Sequence, residues 1–235
     1  MRVLRPAGSY WKVAHRGASA LGPENSLEAL ELALEAGIDM VELDVVSVAG
    51  DLRVAHSLPQ LRPESPRLDE TLALFAAHSR PEVFLDLDVK DPGCETVLVE
   101  RMRTHGLVAR TLVTSFHPEV LRSVRKLEPA VTTGLSYPND RYGLSGRAAF
   151  APFVAPGLHA LGRMLPLRIA RMLATALADA AMLHHALVTT RVVRRCHAAG
   201  AAVFAWTVEG RADLERVLAA GADGVIANDP TLFDG

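Results

Sequence analysis

The sequence predicts an α/β chain folded as a (β/α)8 barrel of the TIM type. Short runs rich in β-branched and apolar residues alternate with segments whose apolar residues recur at three- and four-residue spacing, the two periodicities of strand and amphipathic helix. The strand runs are continuously apolar, as parallel strands covered on both faces must be. The length of 235 residues matches the roughly 250 typical of one such barrel, so residues 1–235 are expected to form one catalytic domain.

Seven strands are expected at Trp11–Ala14, Met40–Val46, Val83–Val89, Thr111–Thr114, Val131–Leu135, Ala202–Trp206 and Gly224–Ile226. The eighth is placed at Asp179–Leu183. Helices are expected over Ser26–Ala36, Asp69–His78, Glu95–Thr104, Pro118–Leu127, Thr189–Ala199 and Arg211–Ala220. Ser26 and Asp69 have the short polar side chains of N-caps. Ala-Gly pairs before Ile38, Ala201 and Ala222 end helices where glycine adopts the left-handed conformation. Between Tyr137 and Ala178 the pattern is poor, and one helix over Leu161–Leu177 is expected after a loop of some twenty residues that covers the barrel mouth.

Charge and composition exclude several functions. A net charge of −2 with 25 basic and 27 acidic residues gives no global field for nucleic acid or an anionic membrane. Cys94 and Cys196 are expected to be free thiols, too few and too distant for a thiolate metal site. The start Met1-Arg2-Val3-Leu4-Arg5-Pro6 lacks an apolar secretory core, which points to the cytoplasm. The longest uncharged stretch, Ala148 to Gly162, is too short and too interrupted to span a bilayer.

Four constellations carry chemistry. The first is Val13-Ala14-His15-Arg16-Gly17, followed by Pro23-Glu24-Asn25-Ser26. In a barrel the carboxyl ends of the strands form the active face, so His15 and Arg16 project toward a common mouth; a pair that merely caps neighbouring carbonyls has the same pattern. The second is Met40-Val41-Glu42-Leu43-Asp44-Val45, where strand alternation puts Glu42 and Asp44 on one side. Two carboxylates inside an apolar run repel and are costly to bury unless a cation neutralises them, and a divalent metal is the economical choice over an arginine. The third, Phe84-Leu85-Asp86-Leu87-Asp88-Val89-Lys90, supplies another same-face pair and a lysine suited to a phosphate oxygen. Spacing does not separate Asp86 from Asp88 as the third ligand. An all-oxygen set suits Mg²⁺ or Ca²⁺. The fourth, Arg53-Val54-Ala55-His56-Ser57, brings a second histidine. With ordinary values near 6.5, His15 and His56 suit general acid and base work at neutral pH. Seven other histidines, at 78, 105, 117, 159, 184, 185 and 197, read as surface, cap or packing residues. Trp206, at a strand end, can wall a pocket or seal the mouth.

These pieces, with Trp206-Thr207 and the closing Asp223-Gly224-Val225-Ile226-Ala227-Asn228-Asp229-Pro230, resemble the glycerophosphodiester phosphodiesterase family in order along nearly the whole chain. The resemblance implies a barrel of the phospholipase C-like phosphodiesterase type. It implies that Glu42, Asp44 and Asp88 hold Mg²⁺ or Ca²⁺, choosing Asp88 over Asp86, and that His15 and His56 are the acid–base pair. Arg16, Lys90, Glu24 and Trp206 would meet substrate. The implied reaction releases glycerol 3-phosphate and an alcohol, a step in lipid and glycerol metabolism. Departures concern substrate and turnover. Asp88 stands where glutamate is usual, Ser57 follows His56 where aspartate is usual, and Glu209 stands where asparagine often follows the WT dipeptide. Asn228 loses a threonine hydroxyl. Residues 57–65 alone separate His56 from Pro66-Arg67-Leu68-Asp69-Glu70-Thr71-Leu72, so most of the family's covering insertion is missing. A lysophospholipase D-like action on lysolipids, or a barrel that binds phosphodiesters without turnover, are the alternatives.

Overall fold

Barrel closure follows from the strand pairing. A computed structural model describes residues 8–78, 80–139 and 151–234. The strands are β1 (Trp11–Ala14), β2 (Met40–Val48), β3 (Asp51–Val54), β4 (Phe84–Val89), β5 (Thr111–Ser115), β6 (Thr132–Tyr137), β7 (Ala180–His184), β8 (Ala202–Trp206) and β9 (Gly224–Ala227). Eight of them pair in parallel in the order β1-β9-β8-β7-β6-β5-β4-β2, and β1 pairs with β2 to close the ring. β3 lies outside the ring, antiparallel to β2. All eight expected barrel strands form, and the eighth falls at β7.

The helices α1 (Leu27–Glu35), α2 (Leu68–Ala77), α3 (Glu95–Thr104), α4 (Pro118–Leu127), α5 (Ala151–Ala176), α6 (Thr190–Ala198) and α7 (Arg211–Ala219) follow the strands around the outside. Ser26 caps α1, its Oγ accepting from Ala29 N–H at 3.0 Å. Gly37, Gly200 and Gly221 follow their helices at φ +71°, +79° and +93°, as expected. Asp69 is not a cap. Arg67 precedes α2, and the Glu70 carboxylate accepts from the Arg67 N–H at 3.0 Å. Burial of Leu68 in the outer core draws that residue into the first helical turn. Asp69 instead pairs with Arg101 and His105, both at 3.2 Å.

Helix α5 begins at Ala151, ten residues before the start expected at Leu161. Its Pro156 and Pro166 break the sequence signal, but Leu158 and Leu161 rest on the outer core and hold the extra turns. The covering loop therefore cannot include residues 151–160; the remainder of that expectation falls on 140–150, outside the described residues. Cys94 and Cys196 are buried free thiols. No described helix is long and apolar enough to cross a membrane.

The core has two layers. Outward faces of the strands pack on the helices through residues such as Leu43, Leu72, Leu98, Val124 and Val193. The barrel interior is filled at its amino-terminal end by Trp11, Met40, Leu112, Phe204 and Ile226, with the Trp11 and Phe84 rings edge to face at 5.1 Å. Gly224 is a packing requirement, because a Cβ there would lie 2.2 Å from the Phe204 ring. The ring is fully buried and cannot step aside. Gly224→Ala is therefore expected to destabilise the protein by about 2–3 kcal/mol through overpacking, read as a lower urea midpoint at unchanged m-value; a midpoint equal to that of the parent protein would show that the interior has slack.

Candidate active site

Alternation along parallel strands gives each strand a ladder of inward side chains, and the ladders change character with height. On β2 they run Met40, Glu42, Asp44; on β4, Phe84, Asp86, Asp88. The register places Glu42 beside Asp86 and Asp44 beside Asp88. Apolar residues thus fill the closed end and four carboxylates gather toward the carboxyl ends, the face on which barrels do chemistry. All four are nearly inaccessible, at 5%, 1%, 0% and 7% exposure for Glu42, Asp44, Asp86 and Asp88.

Two cations answer them. The Lys90 ammonium contacts both Asp44 Oδ1 and Asp88 Oδ2, and Arg16 Nε lies 3.1 Å from Asp44 Oδ2. Burial alone would raise the Asp44 carboxyl, but Lys90, His56 and Arg16 together hold it well below the usual range. Lys90 is driven upward despite its burial by the charges of Asp88, Asp44 and Glu42. Glu42 and Asp86 move the other way. Burial first, and then the neighbouring carboxylates, push both well above the ordinary range.

Three of the acids suit a cation. Ligand oxygens of Glu42, Asp44 and Asp88 lie within 4.8 Å of one another. Asp44 Oδ1 is buried and its charge is met by the Lys90 ammonium. An all-oxygen set of three carboxylates gathered this closely fits a divalent ion. Asp86 sits one step deeper. Its Oδ1 accepts from Thr114 Oγ1 at 2.8 Å, and that hydroxyl lies 3.2 Å from Asp88 Oδ1.

The loop after β1 wraps this cluster. Arg16, Ala18 and Asn25 have φ of +51°, +58° and +58°, a concentration of left-handed residues typical of functional loops. Gly17, at φ +73°, has no room for a Cβ, which would lie 3.0 Å from the α1 backbone. This close approach lets the Arg16 N–H donate to Glu42 Oε2 at 2.9 Å. Asn25 clamps Asp44 twice, donating from Nδ2 to Oδ2 at 2.8 Å and accepting from the Asp44 N–H at 3.0 Å.

His15 Nδ1 lies 2.6 Å from Asn228 Oδ1, which also accepts from Ser19 Oγ at 3.1 Å. Since an amide oxygen only accepts, Nδ1 carries the proton and Nε2 is left bare, 3.8 Å from Glu42 Oε2. Burial, and then Arg16, lower the His15 pKa. His56 is more open. Its Nδ1 lies 3.2 Å from Asp44 Oδ2 and 2.9 Å from Arg16 Nη2. One ring nitrogen serves only one of these: donating to Asp44 leaves Nε2 bare, whereas accepting from Arg16 moves the ring proton to Nε2. Glu24 is exposed at the rim and pairs with Arg16 at 2.6 Å. Trp206 walls the cavity of about 120 Å³ that holds both histidines and the acids, and Phe116 meets its ring edge to face at 5.9 Å.

The residues expected from sequence are brought together here, Glu24 at the rim. Asn25, Asn228, Thr114 and Phe116 were not expected as site residues. Asn25 lay within the PEN-S run, and Asn228 follows β9 at the active face, so both had a positional signal. The hydroxyl missing at 228 leaves no gap, because the amide oxygen anchors His15. Of the seven remaining histidines none lines this cavity, although His197 meets Asp223 at 2.7 Å and His105 meets Asp69.

A family model described as the glycerophosphoryl diester phosphodiesterase family matches residues 15–56 and 87–232. The chain belongs to this family. The unmatched residues between those spans begin at the short 57–65 connection, where a 3-10 turn over Leu58–Gln60 leads back to Pro66. The chain is 30% identical over 254 residues to a glycerophosphodiester phosphodiesterase of Caldanaerobacter subterraneus subsp. tengcongensis, covering 93% of each. Its fold matches an Oleispira antarctica phosphodiesterase solved in complex with the product sn-glycerol-3-phosphate, with TM-score 0.70, 22% identity, and coverage of 95% and 96% of the two chains. A glycerophosphodiester phosphodiesterase from Parabacteroides distasonis matches with TM-score 0.71 at 17% identity over 94% of each chain.

The double bond from Asn25 to Asp44 has a measurable weight. Asn25→Gly keeps the left-handed backbone and removes only the side chain, leaving a buried N–H and a carboxylate oxygen short of a partner. The expected loss is about 1–3 kcal/mol, measured by urea unfolding, and stability within error of the parent would refute the clamp.

Proposed function

We propose that this chain is a metal-dependent phosphodiesterase that hydrolyses glycerophosphodiesters to glycerol 3-phosphate and an alcohol, with residues 1–235 forming one catalytic barrel. The observation that carries this reading is the joint placement of His15, His56 and the Glu42–Asp44–Asp88 set around one cavity. Family membership and the product named for the Oleispira relative support the substrate class.

Glu42, Asp44 and Asp88 would hold Mg²⁺ or Ca²⁺, which in a bound state supplies charge stabilisation to a non-bridging phosphate oxygen. The chain's own groups do the rest. Arg16 and Lys90 face the anionic phosphate, and Glu24 tethers the Arg16 guanidinium at the rim. Net hydrolysis adds water across the P–O bond to the alcohol: phosphorus gains the hydroxyl oxygen and the departing alkoxide gains a proton. One histidine takes the nucleophile's proton and the other supplies the leaving group's. His15 is preset for such transfer, because Asn228 fixes its tautomer with Nε2 free toward the cavity. Trp206 and Phe116 form the apolar wall against which a carbon arm rests.

A second reading, lysophospholipase D-like cleavage, is favoured by Met164 and Leu167, which are 54% and 70% exposed on α5. Faster release of choline from lysophosphatidylcholine than from glycerophosphocholine would select it.

Release of glycerol 3-phosphate should cease in excess chelator and return with Mg²⁺ or Ca²⁺. His15→Ala should lower kcat by about 10²–10⁴-fold, the usual weight of a general acid or base, with folding checked by circular dichroism. Asn228→Ala should lower kcat by about 10–100-fold, as loss of a histidine's orienting partner does. Undiminished turnover in chelator would sink the metal role, and phosphodiester binding without turnover of any substrate would leave only a binding barrel.

A further inference from the structure

The cavity of about 120 Å³ encloses one small arm of a diester, so the other arm must leave it. A groove of about 500 Å³ provides the path, since Phe116 and Ser136 line both spaces. Its apolar surface comes from Leu135, Tyr137, Leu167 and Met172, and its charge from Arg168 and Arg171 on α5. Among the described residues none of its lining is acidic. Helix α5 carries Arg163, Arg168 and Arg171 and not one Asp or Glu in 26 residues, within a chain whose net charge is −2.

The two groove arginines differ from Arg16 of the catalytic cavity. Arg16 is held by Glu24 and Asp44, whereas among the described residues neither Arg168 nor Arg171 has a side-chain hydrogen bond or ion pair. Positions three apart share one helix face, where two like charges repel. An anion between them relieves that repulsion. Guanidinium geometry suits a phosphate, and the apolar floor suits the carbon stem that joins it to the reacting diester.

We propose that this groove receives the leaving alcohol and selects alcohols that carry a second phosphate anion over neutral or cationic ones. The inference rests on the hydrolase reading above. The second phosphate is bound and not altered: water adds at the phosphorus in the cavity, the P–O bond to the alcohol breaks, and the alkoxide takes up a proton.

The test uses the full chain with Mg²⁺ and two substrates that differ by one phosphodiester, bis(glycerophospho)glycerol and glycerophosphoglycerol. The protein should prefer the first by kcat/KM. In Arg168→Gln/Arg171→Gln that preference should fall on the order of 10-fold, the loss expected for one or two charge-assisted hydrogen bonds, and the change should appear in KM. Arg163→Gln, on α5 but outside the groove, should keep the preference. Both groove arginines are exposed, so the double variant is expected to fold. An unchanged preference in the double variant, an equal fall in Arg163→Gln, or a stronger wild-type preference for glycerophosphocholine or lysophosphatidylcholine would overturn the proposal. If no diester is cleaved, the hydrolase reading fails and calorimetry decides the groove separately. A higher Kd for bis(glycerophospho)glycerol in the double variant would then support it, and an equal Kd would refute it.

Discussion

Four carboxylates inside one barrel form the constraint on which the rest of this structure depends. Placed there without compensation, Glu42, Asp44, Asp86 and Asp88 would repel and lose their hydration together. The chain supplies two permanent cations, Lys90 and Arg16, both directed at Asp44. Two charges do not answer four, and the remainder shows in Glu42 and Asp86, whose carboxyls shift toward the neutral form. A divalent ion held by Glu42, Asp44 and Asp88, as proposed above, would restore the balance.

The fold delivers this cluster through periodicity alone, but the loop after β1 gives it shape. Strand alternation sends residues 40, 42 and 44 and residues 84, 86 and 88 inward, and pairing aligns them in rows. Nothing in that regularity orients a carboxylate. Orientation comes from Arg16, Gly17 and Asn25, whose left-handed backbone brings an N–H onto Glu42 and an amide onto Asp44. The loop's left-handed residues are therefore offset by bonds made to the acids, so that one short segment both holds the backbone turn and orients the carboxylates.

The sequence made legible whatever depends on spacing. Every barrel strand could be placed, as could the same-face pair Glu42 and Asp44, because period two is independent of the remaining fold. Depth was not legible. Spacing leaves Asp86 and Asp88 equivalent; the family resemblance chose Asp88, and the register gives the physical difference, a deeper Asp86 bonded to Thr114 and an Asp88 beside Asp44. The pairing of residues on adjoining strands far apart in sequence was hidden for a related reason: Asn228, after β9, reaches His15, after β1, from 213 positions away. At α5 Pro156 disguised ten residues of helix, and at Arg67 burial of Leu68 overrode the better capping residue.

Chemistry and selectivity also sit on different parts of the molecule. The histidines, acids and Lys90 are fixed by β1, β2 and β4 and the segments that follow β1, β3 and β4, whereas α5 and the short 57–65 connection border the openings of the cavity. On the His56 side the opening is lined by Glu24 and Glu64 as well as Arg62, a mixture that favours no sign of charge. On the Phe116 side the charged side chains among the described residues are Arg168 and Arg171. An anionic arm is thus repelled by part of one exit and attracted along the whole of the other. Because α5 is tied to the barrel by Leu165, Ile169 and Leu173 rather than by Arg168 or Arg171, those arginines are free to vary without disturbing the carboxylates. Selectivity can be changed there while the charge balance that creates the site is left intact.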